Sequence, residues 1–87
     1  MKKLLYFSAP WCGPCRMMAP SLDKFVKENT GKVEVHRYNV DINKVEADTY
    51  NITTIPTFLL VDERGVEIPG KRINGAVPMT MLEKLIS

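Results

Sequence analysis

Cysteine and histidine are scarce in this sequence, and their scarcity narrows the chemistry open to the chain. Its 87 residues include two cysteines, Cys12 and Cys15, and a single histidine, His36. A structural zinc site needs about four ligands, most often cysteine and histidine. Because there is no second cysteine pair and only carboxylates remain to complete a ligand set, we expect no metal site.

Long apolar runs and blocks of like charge are also missing. The 12 Lys and Arg residues and the 10 Asp and Glu residues are scattered along the chain and leave a formal charge of +2. This balance does not favour nucleic acid or an anionic membrane as the main partner. The apolar residues after the N-terminal lysines are interrupted by Ser8 and Pro10, too early for a signal core or a membrane span. We therefore expect a cytoplasmic protein.

Chain length limits the number of domains. A chain of 87 residues, 45% of them hydrophobic, can bury one core but not two. We therefore predict a single domain over residues 1–87 that acts as a monomer. The chain is too short to contain a separate domain for a dinucleotide cofactor.

The pattern of apolar residues predicts seven elements of secondary structure. Continuous apolar runs indicate buried strands, and apolar residues three and four apart indicate amphipathic helices. The predicted elements are a strand at 4–7, a helix at 13–29, a strand at 32–40, a short helix at 43–50, a strand at 57–61, a strand that starts at Val66 after a turn at 62–65, and a helix that follows Gly75. Strands that alternate with helices and end in a hairpin predict an α/β protein, with a four-stranded mixed sheet flanked by three helices.

Both cysteines lie in one short segment, SAPWCGPCRMMAP, which runs from Ser8 to Pro20. Cys12 follows the first predicted strand and directly precedes the first predicted helix, where unpaired backbone N–H groups favour a thiolate. Cys15 lies one turn further along, close enough to Cys12 for a disulfide. Because the ring would be very small and would add little stability, a purely structural disulfide is the weaker interpretation.

An alternative is that the two cysteines serve only as small apolar residues of the core. The neighbouring residues argue against it. Trp11 precedes the pair, Gly13 lets another backbone come close, and Pro14 fixes one dihedral angle at the helix start. The segment therefore favours thiol exchange.

The segment WCGPC, from Trp11 to Cys15, resembles the active-site motif of the thioredoxin family. The resemblance continues through residues 31–41, GKVEVHRYNVD, residues 50–57, YNITTIPT, and the dipeptide Gly75-Ala76. It covers nearly the whole chain from Leu4 onward, and WCGPC followed by Ile-Pro-Thr is highly specific. The resemblance implies a thioredoxin-like fold and an exchange of disulfides with protein substrates.

The resemblance also implies a mechanism with two cysteines. Cys12 attacks a disulfide in a substrate protein, and Cys15 then attacks Cys12 and releases the reduced substrate. In the family a flavin-dependent thioredoxin reductase that uses NADPH reduces the motif again, so we expect no cofactor bound to this chain. Thiol pKa values in such motifs are typically lowered to about 7 or less. We expect Cys12 rather than Cys15 to be the exposed and reactive thiol.

A substrate groove beside the cysteines is a further implication of the resemblance. A cis peptide bond between Ile55 and Pro56 turns the preceding backbone toward the thiols, where it pairs with an extended substrate. The residues implied to form the groove are Trp11, Ile55, Pro56, Gly75 and Ala76 at its rim, with Gly13 and Pro14 shaping access. The alternative interpretation is that the glycines and prolines only mark turns.

Two features depart from the family. Its members carry an additional strand and helix before the equivalent of Leu4, for which this sequence has no room, so the chain resembles a trimmed core of glutaredoxin size. They also have a buried aspartate six residues before the first cysteine, where this chain has Tyr6, and a lysine partner, where it has Arg37. Because the reference pKa of tyrosine is about 10, Tyr6 cannot act as a base near neutral pH. Either water or the charge of Arg37 assists Cys15, or Cys15 loses its proton more slowly.

The sequence thus predicts a thioredoxin-like protein-disulfide reductase and leaves two alternatives open. A glutaredoxin-like enzyme would take electrons from glutathione, but WCGPC differs from the Cys-Pro-Tyr-Cys motif usual there. The sequence also shows no convincing basic cluster for the carboxylates of glutathione, for which Arg16, Lys44 and Arg72 are the candidate cations. A docking subunit of the thioredoxin type would not use its thiols at all.

Overall fold

The computed structural model describes residues 1–87 and contains all seven predicted elements. Their bounds are β1 (Lys3–Ser8), α1 (Gly13–Glu28), β2 (Glu34–Asn39), α2 (Lys44–Thr49), β3 (Thr57–Val61), β4 (Glu67–Asn74) and α3 (Met79–Ile86). β2 starts later than predicted because the N–H groups of Lys32 and Val33 donate to the Asn29 carbonyl and close the turn after α1. α3 starts only after Pro78, which occupies its N-cap position.

The four strands form one mixed sheet in the order β2-β1-β3-β4. β1 is parallel to β2 and antiparallel to β3, and β3 is antiparallel to β4. Tyr6 on β1 therefore lies between Arg37 on β2 and Phe58 on β3. The predicted α/β fold, with a four-stranded mixed sheet and three helices, is confirmed.

Helices cover both faces of the sheet. The core between the sheet and helices α1 and α3 consists of Leu4, Tyr6, Met18, Leu22, Phe25, Val33, Phe58, Leu60, Leu82 and Leu85. On the other face, residues from α2 and the loop after it pack on a smaller cluster of Leu5, Phe7, Leu59 and Val61. Because successive residues of a strand point to opposite faces, the continuous apolar runs of β1 and β3 supply both clusters.

α1 is the longest helix, and it continues through an internal proline. It has 16 residues, and Pro20 lies within it without an N–H group to donate. Its buried residues, Cys15, Met18, Leu22 and Phe25, recur at the helical spacing of three and four. Neither α1 nor any other helix has the length and apolar content needed to cross a membrane.

Three loops meet at one end of the sheet. β1 ends at Ser8, and the loop from there to α1 is closed by the Cys12 N–H, which donates to the Ala9 carbonyl at 3.1 Å. Because β3 runs antiparallel to both β1 and β4, Thr57 at its start lies beside the ends of these two strands, opposite Phe7 and Asn74. The loop before β3 and the loop after β4 are therefore neighbours of the start of α1.

Candidate active site

Cys12 caps the N-terminus of α1. Its backbone is extended, with φ −84° and ψ 108°, and its Sγ accepts a hydrogen bond from the Cys15 N–H at 3.2 Å. Pro14 lies in the first turn, where its missing N–H leaves no donor unsatisfied. The positive end of the helix dipole therefore lies at the Cys12 sulfur, as the sequence predicts, and favours a thiolate there.

Cys12 and Cys15 are joined by a disulfide, with 5.2 Å between their Cα atoms. Both residues are buried, since only 5% of Cys12 and 4% of Cys15 is exposed. The expectation that Cys12 is the exposed cysteine is therefore wrong for this disulfide-bonded form. Ala9 belongs to the same buried cluster as the two cysteines, and Val40 and Ile55 pack against this cluster.

A cavity of about 270 Å³ lies beside Cys15. Its lining residues are Tyr6, Ser8, Ala9, Pro10, Cys15, Ala19, Leu22, Arg37 and Asn39. Cys15 contributes to the lining, but Cys12 does not. No aspartate, glutamate, histidine or lysine lines the cavity, so Arg37 is its one charged side chain.

Tyr6 forms part of the buried wall of this cavity. Only 5% of the residue is exposed, and its ring stacks on Phe58 with 4.7 Å between the ring centroids. Burial raises the pKa of Tyr6, and the Ser8 side chain and the charge of Arg37 oppose that rise only in part. Tyr6 is therefore protonated near neutral pH and cannot accept the proton of Cys15, as the sequence predicts.

Arg37 stands beside Tyr6 on β2 and is tied to α1. Its Nη2 donates to Asp23 Oδ1 at 2.7 Å, and 41% of its side chain is exposed. Asp23 itself does not line the cavity. The ion pair therefore holds the guanidinium at the cavity and leaves the carboxylate outside it.

Trp11 projects into solvent but is held by its indole nitrogen. The residue is 66% exposed, and its Nε1 donates to Asp41 Oδ2 at 3.0 Å. The Asp41 N–H in turn donates to Asn39 Oδ1 at 2.9 Å. The WCGPC motif does not reveal Asp41, although its place just after β2, at the carboxyl end of a parallel strand, is a usual position for site residues.

A shallow groove of about 150 Å³ lies beside Trp11. Its lining residues are Trp11, Val40, Ile52, Thr53, Thr54 and Ile55. Ile55 also packs on the cysteine pair, so the groove and the disulfide share a wall. No hydrogen bond within the chain uses the N–H or the carbonyl of Ile55.

The loops at Pro56 and Gly75 are joined directly. The peptide bond between Ile55 and Pro56 is cis, in agreement with the resemblance. The Gly75 N–H donates to the Pro56 carbonyl at 2.7 Å, and Gly75 has a φ of +101°, which side chains rarely adopt. Gly75 and the exposed Ala76 therefore lie next to Pro56, where the predicted rim of the groove requires them.

Arg72, one of the three candidate cations for glutathione, is already occupied. Its guanidinium donates to both carboxylate oxygens of Glu67, at 2.8 and 2.7 Å, and to the Tyr50 carbonyl at 2.6 Å. The bond to Tyr50 joins β4 to the residue that follows α2. Arg72 therefore has a structural role on the face of the sheet that α2 covers.

His36 lies on the opposite face of β2 from Arg37, its neighbour in sequence. Its Nε2 is 3.4 Å from Glu34 Oε1. The structure holds no group of three or more His, Cys, Asp or Glu side chains that could bind a metal ion.

The fold and the site together define a class of protein. A disulfide between two cysteines one helical turn apart, at the N-terminus of a helix that follows the central strand, identifies a thiol–disulfide oxidoreductase. The family model described as Thioredoxin matches residues 1–87. The chain belongs to the thioredoxin family.

Individual relatives agree with this assignment. The thioredoxin of Haemophilus influenzae is 40% identical over 84 residues, which cover 97% of this chain and 76% of that protein. A chloroplastic M-type thioredoxin of Zea mays is 43% identical over 83 residues, which cover 95% of this chain and 48% of that protein. Among solved structures, Fasciola hepatica thioredoxin has a TM-score of 0.84 and 34% identity, covering 97% of this chain and 77% of that one.

Proposed function

We propose that this protein reduces disulfide bonds in other proteins through the Cys12 and Cys15 pair. The observation that carries the proposal is their disulfide at the N-terminus of α1, where the Cys12 sulfur accepts the Cys15 N–H. A disulfide that closes so small a ring adds little to stability. At a helix N-terminus, however, the sulfur is placed for exchange because the thiolate is favoured there.

The proposed reaction leaves the substrate reduced and the chain oxidised. The Cys12 thiolate attacks one sulfur of the substrate disulfide, which forms a mixed disulfide and releases the other sulfur as a thiolate. The Cys15 thiolate then attacks the Cys12 sulfur, so that the remaining substrate sulfur leaves as a thiolate and the Cys12–Cys15 disulfide forms. Released thiolates take protons from water. An external donor supplies two electrons and two protons to restore both thiols.

An extended segment of the substrate would lie between Trp11 on one side and Gly75 and Ala76 on the other. The unpaired N–H and carbonyl of Ile55 support this path, since they are free to bond an added strand. Gly13 borders open space, because a Cβ atom there would meet no other atom within 4 Å. A substrate therefore has room to approach at the start of α1.

Tyr6 and Arg37 are proposed to tune the release of the Cys15 proton. The cavity beside Cys15 contains no carboxylate to accept this proton, and Tyr6 is itself protonated. The proton therefore passes to water that enters the cavity. The charge of Arg37 stabilises the thiolate that remains, because an opposite charge nearby favours the ionised form.

The electron donor is proposed to be a flavin-dependent thioredoxin reductase that draws on NADPH. The occupied guanidinium of Arg72 counts against glutathione, since it leaves fewer cations for the glutathione carboxylates. Rates of reduction of the oxidised protein by each donor, measured side by side, distinguish the two. Faster reduction by glutathione would indicate the glutaredoxin-like alternative.

The chain is proposed to work as a single domain over residues 1–87 and as a monomer in the cytoplasm. A protein-disulfide reductase needs a compartment that keeps thiols reduced, and the cytoplasm does so. Sedimentation of the reduced protein at micromolar concentration tests the monomeric state.

Two serine variants test the exchange itself. In Cys15→Ser the mixed disulfide on Cys12 cannot be resolved, so complexes with proteins of a cell lysate accumulate and disappear when dithiothreitol is added. Cys12→Ser is the matched control, because it keeps a thiol at the site but should trap no partner and lose turnover. Failure of Cys15→Ser to capture any protein contradicts the proposal. Full activity of Cys12→Ser would instead favour the docking subunit.

A further inference from the structure

The cavity beside Cys15 offers an approach to the disulfide that is separate from the groove beside Trp11. Cys15 lines the cavity, and Cys12 does not. The cavity volume of about 270 Å³ is several times the roughly 30 Å³ that one water molecule occupies in the liquid, so an ion of a few atoms fits. The groove meets the cysteine pair at Ile55 instead. A small molecule that enters the cavity therefore meets Cys15 rather than Cys12.

The polar groups of the cavity suit an anion. Arg37 is its one charged side chain, and it makes a single hydrogen bond within the chain, from Nη2 to Asp23. A guanidinium carries five N–H donors, so most of them are left for a ligand. The hydroxyl groups of Tyr6 and Ser8 add two further donors to the lining. The groove beside Trp11 has no charged residue in its lining, so an anion is attracted to the cavity instead.

The two sulfur atoms of the disulfide also differ as leaving groups. When a nucleophile attacks one sulfur, the other leaves as a thiolate, and a thiolate of lower pKa leaves faster. The Cys12 sulfur lies at the N-terminus of α1 and accepts the Cys15 N–H, so the helix stabilises its thiolate. Attack on Cys15 from the cavity therefore expels the better leaving group.

We propose that the oxidised protein has a second activity, in which a small anionic sulfur nucleophile such as sulfite enters the cavity and attacks Cys15. The lone pair of the sulfite sulfur forms a bond to the Cys15 sulfur, and the bond between Cys12 and Cys15 breaks. Cys12 leaves with both electrons of that bond as a thiolate, so the disulfide is reduced while sulfite is oxidised to an S-sulfonate on Cys15. This activity goes beyond the proposed reduction of protein disulfides, in which Cys12 forms the bond to the partner.

The position of the adduct tests the direction of attack. The oxidised protein is treated with excess sodium sulfite, quenched with acid, freed of sulfite and alkylated with N-ethylmaleimide, which labels the one free thiol. Mass spectrometry locates the label, because fragmentation before Pro14 separates Cys12 from Cys15. The label is expected on Cys12. A label on Cys15 would mean that sulfite attacked Cys12, and it overturns the proposal.

The initial rate of the same reaction tests the role of Arg37. At low ionic strength Arg37→Gln should slow the reaction by about tenfold, the lower end of the range for a charged cleft, and Arg37→Lys should stay near the parent rate. Arg16→Gln is the matched control, because Arg16 is exposed, directly follows Cys15 and does not line the cavity. Its rate should differ from the parent rate by less than about twofold, since solvent screens an exposed charge.

An equal rate in the parent and Arg37→Gln, or an equal loss in Arg16→Gln, overturns the proposal. Absence of any reaction between the parent and sulfite overturns it as well. Circular dichroism shows whether Arg37→Gln folds, and if it does not, the position of the label in the parent decides. All of these results leave the reductase function standing, because capture of partners by Cys15→Ser tests that function separately.

Discussion

The two sulfur atoms of the disulfide have different surroundings. The Cys12 sulfur accepts a backbone N–H at the start of α1, whereas Cys15 lines a cavity that it shares with Tyr6 and Arg37. A thiolate at Cys12 is therefore favoured by the helix, and a thiolate at Cys15 depends on the nearest side-chain charge. Attack on the substrate disulfide by Cys12 therefore depends on the start of α1, and release of the substrate by Cys15 depends on the cavity.

Neutralising Arg37 should make Cys15 harder to ionise. In a Cys12→Ser background Cys15 is the only thiol, so the pH dependence of its alkylation by iodoacetamide reports its thiolate fraction. Arg37→Gln should move the midpoint of this profile to higher pH, by about 0.5 to 1 unit, since the amide no longer stabilises the thiolate. Arg37→Lys keeps the charge and should restore a midpoint near the parent value.

The charged groups around Cys15 make this test specific. Tyr6 and Arg37 are the titratable side chains that share its cavity, and Asp23 acts only through its ion pair with Arg37. Arg64→Gln is the control, because Arg64 is 85% exposed in the turn between β3 and β4. An unchanged midpoint in Arg37→Gln, or an equal change in Arg64→Gln, would contradict the role of Arg37.

Single residues of the site were predictable where a short motif encodes them. WCGPC places Cys12 at the helix start and Cys15 one turn on, and both are found there. Asp41 could not be identified in this way, because its partner, Trp11, is 30 residues distant along the chain. The burial of Cys12 was missed for the same reason, since Val40 and Ile55, which pack against the cluster that contains it, are distant along the chain.

At the scale of helices and strands, the apolar pattern was sufficient to predict all seven elements. β3 matches its predicted bounds, and all five of its residues are buried, as its nearly continuous apolar run indicates. The ends of a strand were less predictable where backbone hydrogen bonds to distant residues set them. β1, for example, extends to Lys3 and Ser8, beyond its apolar residues, because these two residues pair with Glu34 and Asn39 on β2.

The ion pair of Glu67 and Arg72, both on β4, positions the guanidinium that also bonds the Tyr50 carbonyl at the end of α2, and its loss should loosen that connection. Arg72 donates to both Glu67 oxygens and to the Tyr50 carbonyl. The side chain of Glu67 is about one third exposed, and that of Arg72 is about one quarter exposed. Glu67→Gln should lower the free energy of unfolding at neutral pH by about 1 kcal/mol, the upper range for a partly exposed pair. Urea denaturation of the two proteins measures the difference.

The same pair should make stability depend on pH. The hydrogen bond from Arg72 lowers the pKa of Glu67, so its stabilisation is present above the ordinary value of 4.5 and is lost as pH falls through the lowered value. The difference between the parent and Glu67→Gln should therefore disappear in acid. Glu63→Gln is the control, because Glu63 is 82% exposed. A difference that persists in acid, or an equal loss in Glu63→Gln, would contradict this account.

For the whole molecule, the topology explains why distant segments form one site. The start of β3 lies beside the ends of β1 and β4, so the loops that carry Cys12, Pro56 and Gly75 meet at one end of the sheet. The alternation of strands and helices predicted a mixed sheet, and the family resemblance implied that these loops meet, but the strand order was not predicted. Local patterns do not encode which strands become neighbours.

The reduction potential of the Cys12–Cys15 pair tests the central claim, that this protein works as a reductant, most directly. The oxidised protein is equilibrated with glutathione buffers of known ratio, and the fraction of disulfide is measured after acid quenching. A potential near about −270 mV, as in a reducing thioredoxin, is the predicted result. A potential near about −120 mV, as in a strong oxidant, would contradict it.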